Sequence, residues 1–163
     1  VTKNMDKPTL LVGVSHSPWH LKDVIKFLDS ETVHQKRIML ELAKKRVPSE
    51  QKGFDFFRKV AKYIQKNGGI VLYGEDEEIL ERTYARDKEL SERMKESTLE
   101  EWIDLFHEQR HINPHTERNP HFLRFAIEQE PSIILLGRRH IPYLIKNHYA
   151  TSPNRLVYIP AEE

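Results

Sequence analysis

The chain has 163 residues, 38% of them hydrophobic, which predicts a single domain spanning residues 1–163 with enough apolar residues for a hydrophobic core. With 26 Lys and Arg against 25 Asp and Glu, the net charge of +1 argues against nucleic acid as a partner. No apolar stretch approaches the length that spans a bilayer and no signal-peptide pattern opens the sequence, so we expect a cytoplasmic protein with no membrane partner. The absence of cysteine excludes disulfides and leaves histidine and carboxylate as metal ligands, and the 31% of charged residues is typical of heat-adapted proteins.

Short apolar runs alternate with amphipathic stretches along the chain. The runs predict five strands, at 9–14, 37–43, 69–74, 132–136 and 155–159. Residues at helical spacing fill the intervals, and the charged stretch 75–106 predicts two helices with a break near Ser97 and Thr98. This alternation indicates an α/β domain whose mostly parallel sheet of about five strands carries helices on both faces. In such sheets ligands bind at the carboxyl ends of the strands.

One motif occurs twice, each time at the end of a predicted strand. GVSHSPW, which begins at Gly13, and GRRHIPY, which begins at Gly137, both read Gly-x-x-His-x-Pro-aromatic. The glycine permits a sharp bend and the proline suits the first turn of a following helix, which leaves His16 and His140 at the strand tips. Both imidazoles are expected at the same sheet edge, and the strand order decides whether they converge. The alternative is ordinary turn chemistry in which the histidines only cap helices.

Two carboxylates follow predicted strands in the same way. Glu41 interrupts the apolar run IMLELAK, where a carboxylate is costly unless it is paired, metal-bound or at the rim. Glu75 follows VLYG at the equivalent place of the third strand. A solvated strand end is the alternative for Glu41, and a helix N-terminus, which attracts acidic residues, is the alternative for Glu75. His20, four residues after His16, is a further pocket candidate, with a helix-surface position as its alternative. Gly13 and Gly137, the first residues of the two motifs, are possible pocket residues as well.

The segment ERNPHF, shortly before the fourth predicted strand, supplies the remaining site candidates. Asn119, followed by proline, is predicted to be the N-cap of a helix that runs to about Gln129. Arg118 has no such structural assignment beyond a surface salt bridge. A guanidinium near the sheet edge could hold a carboxylate or stabilise an oxyanion.

Three further histidines recur at a regular interval. His107, His111 and His115 lie four residues apart and would line one helical face, a spacing compatible with a metal clamp. Pro114 disfavours helix in the residues before it. We therefore predict an exposed helix end that runs into a polar loop.

Taken in order, these motifs resemble those of the TraB/Tiki superfamily, which is related to the erythromycin esterases and the ChaN haem-binding proteins. The resemblance extends from Leu10 to about Tyr149 and is carried by LVGVSH, MLELA, ERNPHF and LLGRRHIPYLI. It implies an α/β fold with one pocket, hydrolytic activity in several branches, and divalent-metal-dependent peptidase activity in the Tiki branch. Carried over residue by residue, the pocket centre and its metal ligands are His16, Glu41 and His140, with Arg118 and Asn119 as supporting or substrate-binding groups.

The chemistry expected from this set is hydrolysis of an amide or ester bond in a small-molecule or peptide substrate. Two imidazoles and a carboxylate could hold Zn, Mn or Co, and such an ion lowers the pKa of its bound water to about 7. Without a metal, Glu41 or a histidine would act as general base, and in either mode Arg118 would stabilise the oxyanion. The alternatives are a non-catalytic module that binds haem or a peptide, and an interaction domain that has lost the chemistry. The sequence is also compatible with a homo-oligomer.

Overall fold

A five-stranded sheet organises residues 8–46 and 55–161, the parts of the chain that the computed structural model describes. The strands are β1 Leu10–Val14, β2 Arg37–Leu40, β3 Ile70–Tyr73, β4 Ile133–Gly137 and β5 Arg155–Ile159. Their order is β3-β2-β4-β1-β5, and each neighbouring pair is parallel. The predicted α/β class is confirmed. The second strand is shorter than its apolar run, because it ends just before Glu41.

Seven helices connect and flank these strands in the described residues. They are α1 Leu21–Glu31, α2 Phe56–Lys66, α3 Glu77–Lys95, α4 Leu99–His107, α5 Asn113–Thr116, α6 Arg118–Gln129 and α7 Ile141–Leu144. The break between α3 and α4 falls where it was predicted, and the side chain of Thr98 caps α4 by accepting from the N–H of Glu101 at 3.3 Å. Among residues 8–46 and 55–161, no helix combines the length and hydropathy that crossing a membrane requires.

The sheet is buried on both faces. Successive side chains of a strand point to opposite faces, so Val12 and Leu135 pack with α1 and α2, whereas Leu11 and Ile134 pack with α6 and α7. All four side chains are 1% exposed or less. The predicted helices on both faces are therefore confirmed, and the strand ends that carry the candidate site residues belong to a close-packed core.

A nearly continuous helical run leads from α4 to α6. A π-helical turn, Glu108–Ile112, follows α4, and the backbone stays helical through Asn113 at φ −54° and ψ −43°. Pro114 lies in the first turn of α5, where its missing N–H breaks no hydrogen bond. The predicted polar loop is therefore wrong. Three polar contacts hold this run against α3: Arg86 to Glu108, Asn113 to the backbone oxygen of Thr83, and Arg82 to Glu117.

Candidate functional site

The strand order brings the predicted site residues to neighbouring positions. In the sheet, β2, β4 and β1 lie side by side, and they lead into Glu41, the turn that carries His140, and the turn that carries His16. Glu75 follows β3, the neighbour of β2. Because parallel strands share one carboxyl edge, these side chains form a row along it. The two Gly-x-x-His turns are adjacent, since Gly137 pairs with Val14.

Glu41 lies at the centre of this row and is held at both carboxylate oxygens. Its Oε1 accepts a hydrogen bond from the backbone N–H of Gly137 at 2.8 Å, and its Oε2 accepts from Nη2 of Arg118 at 3.0 Å. Nε2 of His140 lies 3.4 Å from the same Oε1. Burial opposes ionisation, but His140, Arg118, His16 and the Gly137 N–H lower the pKa of Glu41 to about 2. Glu41 is therefore a fixed, charged group rather than a solvated strand end.

Arg118 joins two carboxylates. Its Nε and Nη2 contact Glu75 at 3.1 and 2.9 Å, Nη2 also contacts Glu41, and Nη1 donates to the backbone oxygen of Pro114 at 3.4 Å. Burial disfavours the cation, yet Glu75 and Glu41 outweigh it and raise the pKa of the guanidinium. Since a guanidinium has five N–H donors, little remains for a substrate. Arg118 thus holds carboxylates, and its predicted action on an oxyanion depends on Nη1.

Glu75 is buried and belongs to this ion-paired centre. It is 8% exposed, and the N-cap of α3 is its neighbour Asp76, whose side chain accepts from the N–H of Ile79 at 2.9 Å. The helix N-terminus therefore does not account for Glu75. A cavity of about 500 Å³ adjoins it on the β3 side, lined also by Tyr73 and Phe125, and the site histidines are not part of its wall.

Asn119 is not an N-cap, because the helix already runs through α5 into α6. It is buried, and its Oδ1 lies 2.6 Å from Nδ1 of His140. An amide oxygen only accepts, so Nδ1 carries the proton and the neutral ring presents a lone pair at Nε2. Burial, with further contributions from the Arg118 charge, lowers the pKa of His140 to about 4, which keeps the ring neutral near pH 7. Asn119 therefore fixes the tautomer and orientation of His140.

His115 joins the site although the sequence interpretation placed it in a loop. Its Nδ1 is 3.4 Å from Nδ1 of His140, and the two ring centroids are 5.0 Å apart. Burial, and then the charge of Arg118, lowers the pKa of His115. The sequence feature that indicates this role is its position four residues before Asn119, because residues four apart lie on one helical face. His107 and His111 are exposed, as expected, with ring centroids 5.2 Å apart.

His16 lies at the exposed rim of the row. Its ring packs against Phe57 at a centroid distance of 5.8 Å. A Cβ added to Gly137 would lie 3.0 Å from Oε1 of Glu41, 3.5 Å from Cδ2 of His16 and 3.7 Å from Cδ2 of His140. The three predicted metal ligands therefore surround Gly137, and the absence of a side chain there keeps the space between them open.

Two other pocket candidates do not reach this centre. His20 lies 4.0 Å from Asp23 and packs edge-on against Trp19, which is an ordinary environment for the start of a helix. A Cβ on Gly13 would lie 2.7 Å from the ring of Tyr158. Gly13 is thus explained by close packing between β1 and β5 rather than by contact with a ligand.

The donor set fits a divalent ion in its chemistry. Glu41 is ionised and His140 is neutral. The Asn119 oxygen accepts from Nδ1 of His140, the ring nitrogen that does not contact Glu41, and such a second hydrogen bond is found on metal-binding histidines. As placed, however, no three His or acidic side chains of residues 8–46 and 55–161 form a metal-binding group. The charge of Arg118 also opposes a second cation beside Glu41. Metal binding by His16, Glu41 and His140 therefore stays a prediction.

The edge thus places a charged carboxylate, Glu41, between a neutral imidazole at 3.4 Å and a guanidinium at 3.0 Å. Comparison with protein-family models, curated proteins and solved structures finds no match for this chain. The functional interpretation consequently rests on these groups and on their geometry.

Proposed function

We propose that the chain is a hydrolase of an amide or ester bond and a member of the TraB/Tiki superfamily, with its reaction centre at Glu41 and His140. One observation carries the proposal. Nε2 of a buried, neutral His140 lies 3.4 Å from Oε1 of Glu41. Two acceptors this close together are stabilised by a shared proton donor or a cation. A water molecule that donates to both is the nucleophile of a hydrolytic reaction.

The reaction follows from the roles of these groups. Nε2 of His140 accepts a proton from water while the water oxygen attacks the carbonyl carbon, and the C=O electron pair moves to the oxygen. Glu41 stabilises the imidazolium that forms, and Asn119 keeps Nδ1 in place. When the tetrahedral intermediate collapses, the leaving group departs with the proton from Nε2. Arg118 orients Glu41 throughout by donating from Nη2, and Nη1, whose bond to the Pro114 oxygen is long at 3.4 Å, is the donor that would bind the oxyanion.

A divalent ion would use the same donors. His140, Glu41 and His16 would hold it, and it would supply Lewis-acid polarisation of the carbonyl and a lower pKa of water. The contribution of the protein is then the orientation of its ligands, by Asn119 for His140 and by Arg118 and the Gly137 N–H for Glu41.

The test is an activity screen of untagged protein on a panel of esters and peptides, with and without Zn, Mn and Co. His140→Ala is expected to lower kcat/KM by at least about a hundredfold, because it removes the general base. His148→Ala, at an exposed position on the last helical turn, is the matched control and should retain full activity. Elemental analysis of the same samples, and of His16→Ala, shows whether a bound ion depends on His140 and His16.

Two outcomes would overturn the proposal. Full activity of His140→Ala would remove the assigned base. Absence of hydrolysis across the panel under all metal conditions would favour the non-catalytic module, for which saturable binding of haem or of a peptide is the expected result.

A further inference from the structure

The stretch HEQRH, residues 107–111, spans the end of α4 and most of the π-helical turn. On a helix, the spacing H-E-x-x-H sets two histidines on one face, and in metalloproteases such a pair binds zinc. Pro114 predicts a helix end close to this point. The backbone is nevertheless helical both at His107, with φ −60° and ψ −46°, and at Asn113, with φ −54° and ψ −43°. The histidine pair therefore lies on a continuous helical run.

The two imidazoles are spaced as they would be around one ion. The ring centroids of His107 and His111 are 5.2 Å apart, and the ring planes are inclined at 41°. A tetrahedral ion about 2.0 to 2.1 Å from one nitrogen of each ring would set the two centroids roughly 5 Å apart. The observed separation thus matches that of two rings on a shared ion without a change in the backbone.

Both rings are available for such an ion. They are exposed, and in the described part of the chain neither imidazole takes part in a hydrogen bond or an ion pair. The neighbouring cation, Arg110, is placed over the Phe106 ring, with its guanidinium carbon 5.4 Å from the ring centroid. Binding an ion would therefore cost neither histidine an existing polar contact.

The glutamate of the stretch anchors the turn. In metalloproteases the glutamate of H-E-x-x-H is the general base. Here both oxygens of Glu108 accept from Nη2 of Arg86 on α3, at 3.0 and 2.8 Å. Within residues 8–46 and 55–161 no third His or acidic side chain completes a metal-binding group, so water would supply the other ligands. The stretch consequently offers two metal ligands, while its carboxylate fixes their position.

We propose that His107 and His111 form a binding site for a divalent transition ion, zinc foremost, which shares no residue with the reaction centre at Glu41 and His140. Imidazole nitrogen suits Zn, Cu and Ni, whereas Mg and Ca prefer oxygen ligands. The ion joins the last residue of α4 to the π-helical turn. It therefore stabilises this part of the helical run when it binds.

Isothermal titration calorimetry of the untagged full chain with zinc chloride near neutral pH measures the site. The Kd of one zinc ion per chain should rise at least about tenfold in His107→Ala and in His111→Ala, because a single imidazole loses the advantage of two linked ligands. His148→Ala is the matched control, since His148 is exposed and has no histidine four residues away. Far-UV circular dichroism checks that all variants keep their helical content.

One further variant separates this site from the reaction centre. Replacement of both His16 and His140 by alanine should leave this zinc ion bound with unchanged Kd, whatever becomes of hydrolysis. The proposal is overturned if the wild-type chain binds no zinc at submillimolar concentration, or if His111→Ala keeps the wild-type Kd. It is overturned as well if His148→Ala loses as much affinity as His111→Ala, because binding would then depend on the number of histidines and not on the pair.

Discussion

Replacing Arg118 by methionine tests the role of the ion-paired centre. Arg118 has a side-chain exposure of 11% and contacts two carboxylates whose side chains are 11% and 4% exposed, Glu41 and Glu75. Methionine keeps an unbranched apolar side chain but leaves both carboxylates without their cation. Removing one member of a buried ion pair typically costs about 3 to 5 kcal/mol. We expect a loss of that size in the free energy of unfolding near neutral pH.

The loss should depend on pH in a defined direction. In the wild-type chain the pKa of Glu41 is about 2, below its ordinary value of 4.5, so its stabilising contribution is complete above pH 4.5 and disappears as the pH falls through about 2. Without the guanidinium, burial opposes the charged form of both carboxylates. Protonation of these carboxylates then reduces the loss of stability in the variant as the pH falls towards about 5. The difference between wild type and variant should therefore shrink on acidification.

Urea unfolding near neutral pH and at about pH 5 measures both effects. Arg82→Met is the control, since Arg82 also pairs with a glutamate, Glu117, at 2.9 Å but is 55% exposed. Exposed pairs contribute little, so this variant should lose much less stability at either pH. The reasoning is refuted if Arg118→Met costs no more than Arg82→Met, or if its cost is the same at both pH values.

Two further predictions concern the neighbours of Glu41. The pKa of His140 is lowered from 6.5 to about 4, so on acidification the unfolded chain binds a proton before the folded chain does, and the free energy of unfolding should fall by roughly 3 kcal/mol between pH 6.5 and about 4. In urea unfolding, His140→Leu should not show this fall, and the same pH dependence in wild type and variant would contradict the prediction. In Gly137→Ala the added Cβ would lie 3.0 Å from Oε1 of Glu41 and displace the carboxylate, so kcat/KM should fall about tenfold or more while the urea midpoint changes far less than in Arg118→Met. Unchanged kcat/KM in Gly137→Ala would show that the position of Oε1 is not critical.

The strands, and the edge on which the site lies, could be predicted because they depend on local patterns. Apolar runs followed by Gly13, Glu41 or Gly137 show where a buried strand ends, and parallel strands share one carboxyl edge. The adjacency of the two histidine turns could not be predicted in this way. It depends on β4 lying between β2 and β1, and that order is set by packing between segments distant in sequence.

Asn119 and His115 show the limit of local rules. The Asn-Pro pair favours a helix start and Pro114 favours a helix end, so each residue was assigned to a boundary. The contacts of Glu108 and Asn113 with α3 instead keep the chain helical between these points. Tertiary contacts override local preference here, and both side chains consequently point at His140.

The same helical run connects the exposed apolar face of α4, which Leu99, Trp102 and Ile103 form, with the proposed reaction centre. The π-helical turn Glu108–Ile112 separates them, and a turn of this kind inserts about one extra residue, which rotates everything after it by about 100° relative to an uninterrupted α-helix. After this turn, Arg118 and Asn119 contact Glu41 and His140 at the ends of β2 and β4. The π-helical turn therefore joins two different surfaces of one helical run. Before it, α4 exposes apolar side chains, and after it, Arg118 contacts the Glu41 carboxylate and Asn119 contacts the His140 ring.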